Sequence, residues 1–198
     1  LVIREMGAER LAEHGDEEAA TRDRHRDFYL GLLRDTADSL ASESAAAAVA
    51  DIGTEIANVR AAWDRALDPP DALRIREALR PLASYLNHAG RYPEAQELFG
   101  VAADCVLAAR PGDRQAIGVA ARLRGAQADA CMHRGLHADV VRIACEATEL
   151  ARVAGDARSR ALTEAGLSVD PTLLTNGGHS VWNATRLCRR LPTLQAVR

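Results

Sequence analysis

Lysine is absent from all 198 residues; the 25 basic side chains are arginines. A P-loop, a protein-kinase core and a Schiff-base enzyme each need a lysine amine, so this chain carries none of them. Aromatic side chains are scarce, at 4%. No apolar run reaches the 18 residues of a membrane span, and the start has no signal-peptide pattern. No stretch alternates apolar and polar with β-branched residues, so no strand is predicted. The four cysteines, Cys105, Cys131, Cys145 and Cys188, form no CxxC pair. Nothing suggests secretion, so reduced thiols in a cytoplasmic protein are the expectation. A formal charge of −3 argues against a surface built on phosphate contacts, and no direct nucleic-acid partner is expected.

What the chain has in quantity is alanine, 40 of its 198 residues. Alanine is the best helix former, and small side chains let helices approach closely. The expected fold class is all-α, with antiparallel helical hairpins stacked as a short α-solenoid. Apolar spacing of three and four predicts the helices. Residues 1–14 read as a helix closed by Gly15. A second spans 16–41, with an apolar stripe at Phe28, Tyr29, Leu32, Leu33, Thr36, Ala37 and Leu40 and a solvated first half. A third covers 44–67, with Val49, Ile52, Ile56, Val59, Trp63 and Leu67 on one face. Asp68-Pro69-Pro70 ends it, since proline disfavours helix in the residue before it and cannot continue one.

Two hairpins follow. The first pairs residues 71–88 with 91–109 around Gly90; the second pairs 114–134 with 136–153 around Gly135. Arg110-Pro111-Gly112-Asp113 separates them, and Gly155-Asp156 ends the second. A last helix starts near Ala157 and fades at Asp170-Pro171. The turn glycines lie 45 residues apart, and one hairpin per period marks a helical repeat. The first hairpin resembles a tetratricopeptide repeat. With Gly90 at the turn, Leu79, Leu82, Ala83 and Leu86 fall at the first-helix positions for large, large, small and large residues. Tyr92, Ala95, Phe99 and Ala102 fall at the second-helix positions for aromatic, alanine, aromatic and alanine. Ala83 and Ala95 are expected where the two helices cross most closely. The second hairpin is a weaker copy: Ala128, Gly135 and Ala147 match, whereas Arg124 and Gln127 stand where apolar residues belong.

Ahead of the hairpins runs Glu55-Ile56-Ala57-Asn58-Val59-Arg60-Ala61-Ala62-Trp63-Asp64-Arg65-Ala66-Leu67. The chain opens with Ile3-Arg4-Glu5-Met6-Gly7-Ala8-Glu9-Arg10-Leu11-Ala12-Glu13-His14-Gly15, and Arg24-His25-Arg26-Asp27-Phe28-Tyr29 follows. Over residues 1–155 this resembles the large bacterial STAND-type signal-transduction ATPases, many of them transcription regulators. The resemblance implies that residues 1–15 end a winged-helix module and that 16–68 form a connecting helical layer. It also implies that 69–156 are two tetratricopeptide-like hairpins opening a sensor array. Residues 157–198 depart from the pattern and read as a degenerate or poorly ordered tail. Starting at Leu1 in mid-helix pattern, the chain reads as a piece of a longer polypeptide.

The functional expectation is a non-catalytic scaffold that binds a protein, a peptide or a small-molecule inducer and relays this to other domains of its parent. Tyr85, Asn87, Arg124 and Gln127 are the candidate partner-binding residues, on the first helices of the hairpins. No catalytic, cofactor or metal site is assigned, and no membrane partner is expected. The alternative is a fragment contributing to the DNA binding or nucleotide hydrolysis of a transcription regulator. Cys131, His133, His137 and Cys145 match no zinc-site spacing, so packing and solvation account for them better. Asp23, Asp27, Asp35 and Asp38 alternate with Arg22, Arg24, Arg26 and Arg34, which points to ion pairs along a polar helix. Glu55, Asn58 and Arg60 read as structural polar contacts and Trp63 as a core anchor. Arg186, Arg189 and Arg190, beside Trp182, read as a solvated face or tail.

Overall fold

A computed structural model describes residues 15–155. Among these residues the fold is all-α. The helices are α1 (Gly15–Asp35), α2 (Ala37–Leu40), α3 (Ala45–Ala66), α4 (Ala72–His88), α5 (Tyr92–Ala109), α6 (Arg114–His133) and α7 (His137–Ala154). None is long and apolar enough to cross a membrane. The segments read at 1–14 and from 156 onward lie outside the described residues.

The helix starts follow from local chemistry. The Asp71 carboxylate accepts from the Arg74 amide at 3.1 Å and caps α4. The Asp113 carboxylate accepts from the amides of Gln115 and Ala116 and caps α6. Each satisfies amides that a helix leaves unpaired at its first turn. The predicted helix over 16–41 is interrupted at Thr36. Its hydroxyl donates to the carbonyls of Leu32 and Leu33, 3.1 and 2.9 Å away. Such a back-bond competes with the backbone ladder and bends a helix.

The two glycine turns are built identically. At the end of α4, the Gly90 amide donates to the Asn87 carbonyl and the Arg91 amide to the Leu86 carbonyl. At the end of α6, Gly135 donates to Met132 and Leu136 to Cys131. Both are Schellman closures, and both glycines have the left-handed φ these require, 66° and 72°. A Cβ added at either glycine would meet nothing within 4 Å. The cost of Gly135→Ala is therefore purely conformational. We expect about 1 kcal/mol, read as a lower urea midpoint at unchanged slope, and the same for Gly90→Ala.

α1 and α3 pack together, and α2, α3 and α4 close over one another. α4 also touches α5 and α6. The most extensive close packing is of α6 against α5 and against α7. The reason lies in α6, where Gly118, Ala120, Ala121, Gly125, Ala126, Ala128 and Ala130 are all buried, so its neighbours approach its backbone closely.

Leu79, Leu82, Ala83, Leu86, Ala95, Phe99 and Ala102 are all buried in one core with Ile52, Val59, Trp63 and Leu123. Tyr92 is half-buried. A second cluster, Ala128, Cys131, Val140, Ile143 and Ala144, lies between α6 and α7. The expected stripe of α1 is shifted. Leu30 and Leu33 are its buried residues, whereas Phe28 is 64% exposed.

Candidate functional site

Residues out of character with their surroundings carry the most information about function. Arg124 and Gln127 are two such residues, and the structure brings them together. The Arg124 side chain is only 11% exposed. Its Nε donates to Glu146 of α7 at 2.9 Å, and its Nη2 to Asp104 of α5 at 2.6 Å. Its Nη1 donates to the Gly100 carbonyl at 3.3 Å and to the Gln127 amide oxygen at 3.0 Å. One guanidinium thus ties α5, α6 and α7. Gly100 leaves the room this requires: a Cβ there would stand 2.5 Å from Gln127 Nε2 and 3.2 Å from its Cδ. The polar pair replaces an apolar contact by a satisfied network, which is how a charge is accommodated inside a fold.

Asn87 belongs to a different group. Its side-chain amide donates to Asp129 of α6 at 3.0 Å. His133, one turn after Asp129, approaches the same carboxylate oxygen at 3.9 Å and stacks on Tyr92 with ring centroids 4.5 Å apart. The group joins the end of α4, the start of α5 and the end of α6. Tyr85 lies apart from both. It is 3% exposed, in the core, and its hydroxyl accepts a long 3.5 Å hydrogen bond from Arg91. It has no surface to offer a partner.

Asp129 escaped sequence reasoning, which singled out His133 only beside Cys131, His137 and Cys145. The available signal was an acid in an otherwise alanine-rich helix face, one turn before a histidine. Burial pushes the Asp129 carboxyl above the ordinary carboxylate range, against the hydrogen bond from Asn87 and the proximity of His133, which pull it down. A carboxyl raised by folding holds its proton more tightly in the native state. Stability is then lost as pH rises from the unfolded value toward the raised one, and regained on acidification. Asp129→Asn is expected to be at least as stable as the parent at pH 7. Its advantage should shrink as pH falls toward 4, measured by urea unfolding of both proteins at each pH.

The acids of α1 pair along their own helix, as Glu18 does with Arg22 and Asp23 with Arg26, and across to others. Arg74 of α4 grips Asp27 through two bonds, 2.7 and 3.1 Å, and its own Asp71 at 2.5 Å. Arg26 also donates to Asp27. Together these arginines hold the Asp27 carboxyl at about 2. Arg65 of α3 reaches Asp23 at 2.9 Å.

In α3, Asn58 donates to Glu55 of its own helix at 2.7 Å, and Arg60 pairs with Glu94 of α5 at 3.1 Å. Cys131 is buried and Cys105 half-buried, both as free thiols. Cys145 is half-buried on α7 and has an interaction of its own. Cys188 and the arginines at 186, 189 and 190 lie outside the described residues. Among the described residues no three His, Cys, Asp or Glu side chains gather as metal ligands would.

No protein-family model, curated protein or solved structure matches the chain.

Proposed function

We propose that this chain is a non-catalytic helical scaffold whose two hairpins stack as a short tetratricopeptide-like α-solenoid. In this reading it serves as the sensor segment of a cytoplasmic, multidomain regulatory ATPase of the STAND type. It binds a protein, a peptide or a small inducer along the first helices of the hairpins, α4 and α6, and biases the other domains of its parent.

The observation that carries the reading is the pair of identical Schellman turns 45 residues apart, at Gly90 and Gly135. Contact between α4 and α6, the first helices of successive hairpins, agrees with it. Arg124 and Gln127 act inside the stack, joining one hairpin to the next. Asn87 is the partner-face candidate that keeps part of its surface open.

Native-state amide exchange on the full chain tests the architecture. A stack held by neighbour contacts opens in parts, so α7 and α6 should exchange at lower free energy than α3 and α4. One global opening for all helices would overturn it. Incubation with ATP and Mg²⁺ tests the absence of catalysis: turnover above a buffer control would overturn the reading.

A further inference from the structure

Two side chains converge on Oδ2 of Asp129, on α6. The Asn87 amide, at the end of α4, donates to it at 3.0 Å. Nε2 of His133, one turn further along α6, stands 3.9 Å from the same oxygen. A hydrogen bond from nitrogen to oxygen closes at about 2.9 Å, so the imidazole stops roughly 1 Å short of one. The Tyr92 ring, at the start of α5, holds the imidazole there, stacked at a centroid distance of 4.5 Å and 12° from parallel. The Asp129 side chain is 17% exposed and that of His133 31%, so the acid is largely withdrawn from water while the imidazole still meets it.

The neighbouring charges are matched elsewhere. On α4, His88 turns its Nδ1 to the Ser84 carbonyl of its own helix at 2.8 Å. On α5, Glu94 pairs with Arg91, and Gln96 accepts from Arg134, which follows α6. α7 opens with the exposed His137, and its Asp139 pairs with Arg142 at 2.8 Å. The side chains that act on the Asp129 carboxyl are Asn87 and His133, and burial opposes its ionised form.

We propose that Asp129 and His133 form a proton-operated latch between α6 and the turn of the first hairpin. At neutral pH the largely buried carboxylate has the Asn87 amide as its donor. One proton, taken from solvent by the imidazole, makes an imidazolium that donates from Nε2 to Oδ2 after a shift of about 1 Å. The Asn87 bond stays, and the stack on Tyr92 gains cation–π attraction. The carboxylate is buried before the proton arrives, so uptake supplies its missing counter-charge. Folding and proton uptake therefore favour each other, and the titration belongs to the pair. The contribution of the pair is present below the ordinary imidazole value of about 6.5 and is lost as pH rises through that range. Asn87 and Tyr92 flank Gly90, so mild acid fastens the end of α6 to that turn. This inference rests on side-chain geometry and stands independently of the scaffold reading.

Urea unfolding of the full chain tests it at about pH 8 and about pH 5.5, on either side of the ordinary imidazole value. The proteins are the parent, Asp129→Asn, His133→Gln and the double variant. Neither new amide takes up a proton, and in the four-protein cycle the titration of every other group cancels. Both single variants should fold: His133 is exposed, and asparagine removes a buried charge at 129. At the higher pH the two substitutions should add to within about twofold in the unfolding constant. At the lower pH they should show a favourable coupling of about fivefold or more, the upper range for a partly exposed ion pair. Coupling of the same size at both pH values overturns the latch, because the contact would then be a fixed polar one. Additivity at both pH values overturns it too, leaving His133 as a ring that only stacks on Tyr92.

Discussion

Trp63→Ala should cost the protein about 3–5 kcal/mol, the range for deleting a large buried ring. Trp63 is fully buried in α3, and its ring meets Phe99 of α5 edge to face at a centroid distance of 6.2 Å. The pair joins the layer formed by α1 and α3 to the helices that follow. Deleting the ring removes that join and leaves a cavity, which a close-packed interior fills only in part. The readout is the urea midpoint at unchanged slope, with a drop in melting temperature of about 10 °C for a chain of this size. A loss below about 1 kcal/mol would show that Trp63 is not the anchor. Trp63→Phe sharpens the test. The indole Nε1 is buried without a hydrogen-bond partner, so phenylalanine discards an unsatisfied donor while keeping much of the ring. It should cost less than half as much as alanine.

The second large effect is expected at Arg124. Removing its guanidinium in Arg124→Leu leaves the Gly100 carbonyl, the Gln127 amide and Glu146 without their shared donor. A buried charge pair broken on one side costs about 3–5 kcal/mol. Asp104 and Glu146 are more exposed and can be rehydrated, so about 2–3 kcal/mol is the expectation here. Arg124→Lys should recover little, because one ammonium cannot span acceptors on three helices. Gly100→Ala attacks the same node from the other side by pushing Gln127 off its place, at about 1–2 kcal/mol. If the node is one unit, Gly100→Ala and Arg124→Leu together should cost clearly less than their sum. Strict additivity would mean that Arg124 and Gly100 act independently.

The backbone was largely legible in the sequence because its signals are local. Spacing of three and four at Ile52, Val59 and Trp63 located α3, prolines bounded it, and Gly90 and Gly135 fell at left-handed turns. Side-chain placement was legible where a single face is buried and failed where partners come from elsewhere. Phe28 and Leu30 are both apolar neighbours on α1, and only the position of α3 and α4 decides that Leu30 goes in and Phe28 stays out. Arg124 looked like a core misfit because its acceptors lie 20 and more residues away, on helices that sequence spacing does not align. The Asn87–Asp129 bond spans 42 positions for the same reason.

The clamp of Arg74 on Asp27 and Asp71 makes the docking of α1 against α4 unequally sensitive to the two ends of the pH scale. Its cation is a guanidinium, in a chain with no lysine to serve in its place, so alkali has no proton to remove until far above the neutral range. Its anion, Asp27, is held at about 2. The contribution of the pair is therefore complete above the ordinary carboxylate range and fades only as pH falls through about 2. Acid alone can release this contact, and only acid stronger than most carboxylates need to take up a proton.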